Sequence, residues 1–222
     1  MIVVLPFENL GPPEQAYFAA GMSEAVTSRL ARIPELGVIS RSSALQYAGG
    51  GKSIRQIGDE LGVDWVLEGT VLWAGERVRI TQRLIRVADD TQLWDKTHNE
   101  TIDVRNLIDI QAEIADQVSQ QLGVSVLESA EPGKVLVPTT SNGAYQAYLR
   151  GIEAYERPFS RRESLRLAAD SFTAAVTLDP QFGEAWARLV EPLVWQYSVE
   201  RTPEREAEVR SAAERALGSR GS

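Results

Sequence analysis

The chain opens on Ile2-Val3-Val4-Leu5, followed by Pro6. Four apolar residues, three of them β-branched, run without a polar break. Such a run fits a strand covered on both faces, because a strand with one wet face alternates instead. Such a fully buried strand is most often a central one. Pro6 has no N–H to donate, so regular pairing has to break there. Phe7-Glu8-Asn9 then falls at the carboxyl end of a central strand, ahead of a long helix. In open α/β sheets that is the usual place for a ligand or partner site.

Helix and strand signals then alternate. Gly11-Pro12-Pro13 is a turn, and Phe18, Met22, Val26, Leu30 and Ile33 form one apolar stripe that ends at Pro34. Gly37 to Ser42 reads as a short second strand. Gly51-Lys52-Ser53 looks like the end of a phosphate-binding loop, but that loop requires glycine five positions before Gly51, where Gln46 stands. The expected role is a loop feeding a helix, with Ser53 as N-cap and Gln56 in the capping-box position. Trp65, Leu67, Val71 and Trp73 point one way along the next strand; Glu68 and Thr70 point the other. Ala74-Gly75-Glu76 is a hairpin turn. Val78, Ile80 and Leu84 continue the apolar face, while Ile85 and Val87 have the opposite parity and call for a bulge or two-sided burial. Gln92 to Thr97 makes a third meander strand. A helix from about Val104 to Leu122 buries Leu107, Ile110, Ile114 and Val118. The expected fold class is therefore α/β, a mixed sheet in the order β-α-β-α-β-β-β-α over residues 1–123, followed by an all-α helical repeat region.

Periodicity lapses over 124–140, where Pro132, Gly133 and Pro138 break structure, and this stretch is expected to be the linker. From 141 to 222 the pattern is helical. Ala168, Phe172, Ala175 and Pro180 resemble the second helix of a tetratricopeptide repeat, with Leu178-Asp179-Pro180 as its exit. Ala185-Trp186 and Leu189 look like the opening of the next repeat, and Ala213, Ala216 and Leu217 like its second helix. About two such hairpins are expected. The first is expected to be irregular, with a long turn from Arg157 to Glu163. Two are fewer than the ~3 repeats of an independent solenoid, so they are expected either to dock on the first domain or to belong to an array truncated after Leu217.

Composition excludes several classes of chemistry. With 23 basic and 31 acidic side chains the net charge is −8, which offers no general attraction to nucleic acid or anionic lipid. Arg77, Arg79, Arg83 and Arg86 are interleaved with acids. There is no cysteine, so disulfide, thiolate and iron–sulfur chemistry are excluded. No stretch approaches the ~20 apolar residues of a membrane span. A buried strand at residue 2 points to a fragment of something longer. The expectation is a soluble chain, cytoplasmic if it is complete and periplasmic if it lies downstream of a membrane span.

The first half resembles the TolB N-terminal-like domain, related in fold to FlgO and CsgG. The resemblance rests on Val4-Leu5-Pro6-Phe7-Glu8-Asn9-Leu10, Tyr17-Phe18-Ala19-Ala20-Gly21-Met22, Val38-Ile39-Ser40-Arg41-Ser42-Ser43 and the run from Leu61 to Val71. It is completed by Arg77-Val78-Arg79-Ile80, Leu93-Trp94 and Ile110-Gln111-Ala112-Glu113-Ile114-Ala115. It implies an interaction module that sits downstream of a signalling domain, such as an adenylate cyclase or a winged-helix regulator, sometimes beyond a membrane span.

No catalytic constellation stands out. His98 is the sole histidine and is expected as a solvated edge residue; Asp89-Asp90 are expected as plain turn acids rather than cation ligands. Glu8 and Glu68 have no recognisable acid–base partner. The expectation is a chain that is not an enzyme, with no cofactor and no metal site, any catalysis belonging to an upstream domain. The expected activity is protein or peptide binding through the helical repeats, with Tyr148, Arg150, Tyr155, Trp186, Arg188 and Trp195 as contact residues. Two alternatives remain. One is a small-molecule or anion site at Phe7, Glu8 and Asn9 beside Ser40 and Arg41. The other is a role in envelope assembly.

Overall fold

The structure, a computed structural model, describes residues 1–101, 103–123, 138–156 and 160–218. The chain divides into two compact units, 1–135 and 136–222.

The first unit is built on a mixed sheet whose strands lie in the order β1-β3-β4-β5. β1 (Ile2–Val4) pairs in parallel with β3 (Trp65–Ala74), Val3 opposite Val66. On its other side Ile2 bridges Val38, and its N–H and C=O bond to Gly37 and Ile39 at 2.8 and 2.9 Å. Paired on both sides and covered on both faces, Ile2, Val3 and Val4 are buried, as their unbroken apolar run requires. After Leu5 the pairing slips. Val4 faces Leu67 and Glu8 faces Thr70, so the first chain spends four residues where β3 spends three. The extra residue falls at Pro6-Phe7, where no N–H is available at Pro6, and β2 (Glu8–Asn9) resumes the ladder. The Phe7 ring lies against Gly69. A β-carbon there would stand 2.6 Å from the ring, so this glycine is what lets the ring reach the sheet.

α1 (Ala16–Leu30) and α4 (Val104–Leu122) pack together on one face of the sheet, over Leu67, Val71, Ile80 and Leu84. The second strand expected over 37–42 contracts to the bridge at Val38. Ser40 instead accepts from the Ser43 N–H and caps a short helix, α2 (Arg41–Ala44). α3 (Ile54–Leu61) carries the expected capping box of Ser53 and Gln56 and covers the opposite face with Val3, Leu5, Ile57, Val63 and Val66. β4 (Arg77–Arg86) and β5 (Thr91–Thr101) complete the meander. The ladder between them shifts at Leu84/Ile85, and both Ile85 and Val87 are buried, so a bulge and two-sided burial occur together.

The second unit contains α5 (Asn142–Glu156), α6 (Arg161–Leu178), α7 (Gly183–Val199) and α8 (Pro203–Gly218), each packed against the next. Gly151 of α5 lets the two helices of the first hairpin close up, because a β-carbon there would meet the Phe172 ring at 2.4 Å. Ala168, Phe172, Ala175, Phe182 and Ala185 form a buried small-and-aromatic seam. Of the expected linker, 124–137 lie outside the described residues, as do 157–159 of the expected long turn. The rest of that turn is shorter than expected, since Ser160 already caps α6 by accepting from the Glu163 N–H. In α8 Ala212 is fully buried and the expected Ala213 and Ala216 are half-buried, while Leu217, also expected there, is exposed.

Candidate functional site

The first unit carries a cleft of about 460 Å³ beyond the end of β1. Its floor is a patch of β3 and β4 on the face opposite α1 and α4. The two-residue hairpin sets Glu68 opposite Arg83 and Thr70 opposite Thr81, and all four side chains line the cleft. One wall is the edge of the α3-side core, Leu5, Ile57 and Tyr47. The lip is Ala48-Gly49-Gly50 with Lys52. Lys52 is drawn to Glu60 at 2.5 Å, and the Tyr47 hydroxyl donates to the same carboxylate at 2.8 Å. Those two donors hold the Glu60 carboxyl below the usual range. Glu68 behaves oppositely: partial burial pushes its carboxyl up, and Arg83 only partly offsets this.

Of the residues expected at a strand-end ligand site, Phe7 and Glu8 do line this cleft. Asn9 does not: its amide donates to the carbonyls of Gly11 and Pro12 at 3.1 and 2.8 Å and holds the turn into α1. Ser40 is a helix cap. Arg41 donates to Ser23 Oγ at 2.8 Å and pairs with Glu24 at 3.4 Å, both ionic side chains being mostly buried. It therefore ties α2 to α1 and does not join Phe7 and Glu8. Sequence reasoning set aside Lys52 with the failed phosphate loop and did not place Thr81 and Arg83 at the site. The hairpin register was the signal that puts Arg83 beside Glu68.

His98 is not solvated. It faces Ile80 on the side of the sheet covered by α4, is buried, and lies 3.8 Å from Glu113, which also pairs with Lys96. Burial, then the Lys96 charge, push its imidazole below the usual range. Among the described residues its Nε2 and the side-chain amide of fully buried Gln82 have no hydrogen-bond partner. Asp89 is gripped by two 2.9 Å hydrogen bonds from Arg86, which hold its carboxyl down at about 2. It serves its turn and leaves no open chelating pair. No cluster of three or more metal-ligating side chains occurs among the described residues.

In the second unit, Tyr155 and Arg188 line a small pocket of about 100 Å³ with Ile152, Phe172, Ala187 and Glu191. Arg161 stacks over the Tyr155 ring at 4.5 Å and bonds both its hydroxyl and Glu191. Burial, then the Glu191 acceptor, push the Tyr155 hydroxyl above its ordinary range. Tyr148, expected as a contact residue, is instead core: its ring packs 5.8 Å from Phe172 and 4.9 Å from Phe182. Trp186 is half-buried, donates to the Pro180 carbonyl at 2.9 Å and lies under Arg215. Arg150 is exposed and Trp195 half-buried, and neither lines this pocket.

A family model of the HilA/YgeH-like transcriptional regulator, second domain, matches residues 1–121. The chain belongs to this family. It is also 31% identical, over 189 residues, to a Rhizobium meliloti protein named "Putative adenylate cyclase 3". The match covers 85% of this chain and 32% of the relative, so the chain spans about a third of the relative's length. The chain is accordingly a signalling or regulatory module. Its relative's name corrects the expectation that the chain is not an enzyme: the matched protein is named for an enzyme. Among solved structures the chain is similar to TolB from Acinetobacter baumannii, at 15% identity, 55% coverage of this chain, 27% of that chain and a TM-score of 0.42. A lipoprotein from Neisseria meningitidis is similar at 19% identity, 56% and 97% coverage and a TM-score of 0.39. No helix among the described residues is long and apolar enough to cross a membrane.

Proposed function

We propose that this chain is a regulatory and docking module of a signalling protein of the adenylate cyclase class. The observation that carries this reading is the reach of the 31% match. Its 189 residues exceed the 135 of the first unit, so the relative shares the helical unit as well as the α/β unit. A paired arrangement retained alongside a cyclase name fits a module that couples partner binding to cyclic-nucleotide formation.

The helical unit is the proposed partner surface, read as two tetratricopeptide-like hairpins bounded by a linker at 124–140. Support comes from the close approach of Gly151 to Phe172 and from the buried seam of small residues between helices. The pocket at Tyr155, Arg188 and Glu191 has room for a single side chain, and its rim offers hydroxyl, guanidinium and carboxylate groups. That combination suits one anchoring side chain of an extended peptide held by polar contacts on either side. Crosslinking and co-precipitation with the full chain, with 138–218 deleted, and with Tyr155→Ala test it. Specific partners should be lost on deletion and weakened by the substitution. Unchanged recovery after deletion would refute the docking role.

A further inference from the structure

We propose that the cleft on the open sheet face binds a small zwitterion of the α-amino-acid class. Its ammonium would rest on Glu68 and Glu8, its carboxylate on Arg83, and its apolar side chain on Leu5, Ile57 and Tyr47. This site lies within the first unit, and the proposal does not depend on the helical docking surface.

The cleft's volume of about 460 Å³ lies within the ~300–1,000 Å³ typical of small-molecule sites. Its floor is laid out by register: Glu68 faces Arg83 across β3 and β4, next to the Thr70–Thr81 pair. Directly opposed side chains leave the sheet about 5 Å apart, within the span of one amino-acid head group. Yet neither Glu68 nor Arg83 forms an ion pair or side-chain hydrogen bond among the described residues. A carboxylate and a guanidinium set side by side but not joined are matched by a ligand that carries both complementary charges.

The other charges narrow the choice. Lys52, the cation on the lip, is committed to Glu60. What remains is two carboxylates and one guanidinium, a set that disfavours a polyphosphate and accepts an ammonium. Burial pushes the Glu68 carboxyl up and Arg83 only partly offsets this, so an ammonium would add to the compensation of its charge. The Thr70 hydroxyl remains for the head group, while that of Thr81 is hydrogen-bonded to Thr97 at 3.1 Å. At Gly49 and Gly50 of the lip an added β-carbon would meet nothing within 4 Å, so the lip there is not packed against its neighbours.

Isothermal titration calorimetry of the full chain against the twenty proteinogenic L-amino acids tests the proposal. The best binder is followed by its decarboxylated amine, its N-acetyl derivative and inorganic phosphate. At least one apolar amino acid should bind. Amine and N-acetyl forms should each bind about tenfold or more weakly, as should Glu68→Gln and Arg83→Gln. Arg83 is exposed, so that variant keeps the fold, checked by near-ultraviolet circular dichroism. The proposal is overturned if no amino acid binds, if phosphate or the N-acetyl form binds as tightly as the amino acid, or if both substitutions leave affinity unchanged.

Discussion

Gly151→Ala is a sharp test of how the helical unit is assembled. In α5 an alanine is worth about 1 kcal/mol over glycine by helix propensity alone. Packing opposes that gain. The new β-carbon would lie 2.4, 2.6 and 2.8 Å from three carbons of the Phe172 ring, where ordinary contacts begin near 3.4 Å. The ring must retreat by about an ångström, but it is almost fully buried and packed against Tyr148. Overpacking of this kind costs about 1–3 kcal/mol, and the confined ring puts it at the upper end. The net effect is a loss of about 2 kcal/mol, or roughly 8–16 °C in the melting temperature of a unit this size. Gly143→Ala in the same helix is the control, because its β-carbon would make an ordinary 3.5 Å contact with Leu178. Urea unfolding followed by hydrogen exchange in α5 and α6 peptides reads this unit alone. If Gly151→Ala proves as stable as the parent, α5 does not pack on Phe172 as described.

Other expectations concern the α/β unit. Arg41→Ala should lower its stability by about 2–4 kcal/mol, since it removes the guanidinium partner of mostly buried Glu24, while amino-acid binding in the cleft stays intact; loss of binding would return Arg41 to the site. Ser53→Ala removes the capping box and should cost about 1 kcal/mol in a urea titration. His98 has a folded-state pKa below its unfolded value, so the unfolded chain takes up a proton first as pH falls below about 6.5 and stability is lost. His98→Gln should flatten that acid-side loss between pH 7.5 and 5.5, and an unchanged profile would show that another group controls it.

Much of this fold was legible because its signals are local. The unbroken run at Ile2–Leu5 announced a doubly covered strand, and Pro6 announced the slip that follows it. The 4–3 spacing of Ala168, Phe172 and Ala175 marked a seam that is buried throughout. Ser40 was harder, because Gly37-Val38-Ile39 has strand character and only the cap at Ser40 turns the chain into α2 so soon. His98 was misread because its polar sequence neighbours point outward, while strand parity turns the imidazole itself toward α4. Arg41 was expected beside Glu8, but its guanidinium turns to Ser23 and Glu24 of α1. No local pattern shows that Arg41 reaches α1. The cleft depended on a register readable only once Gly75-Glu76 was taken as a two-residue hairpin.

The most direct test of the central claim is cyclic AMP formation from ATP by the full reading frame in which this chain lies. The rate is measured with the chain intact, with Tyr155→Ala and Arg188→Ala together, and with 138–218 deleted. A regulatory module predicts that the intact protein forms cyclic AMP and that both alterations shift its rate or its response to a partner. A protein that forms none, or one whose rate and partner response are the same in all three forms, contradicts it.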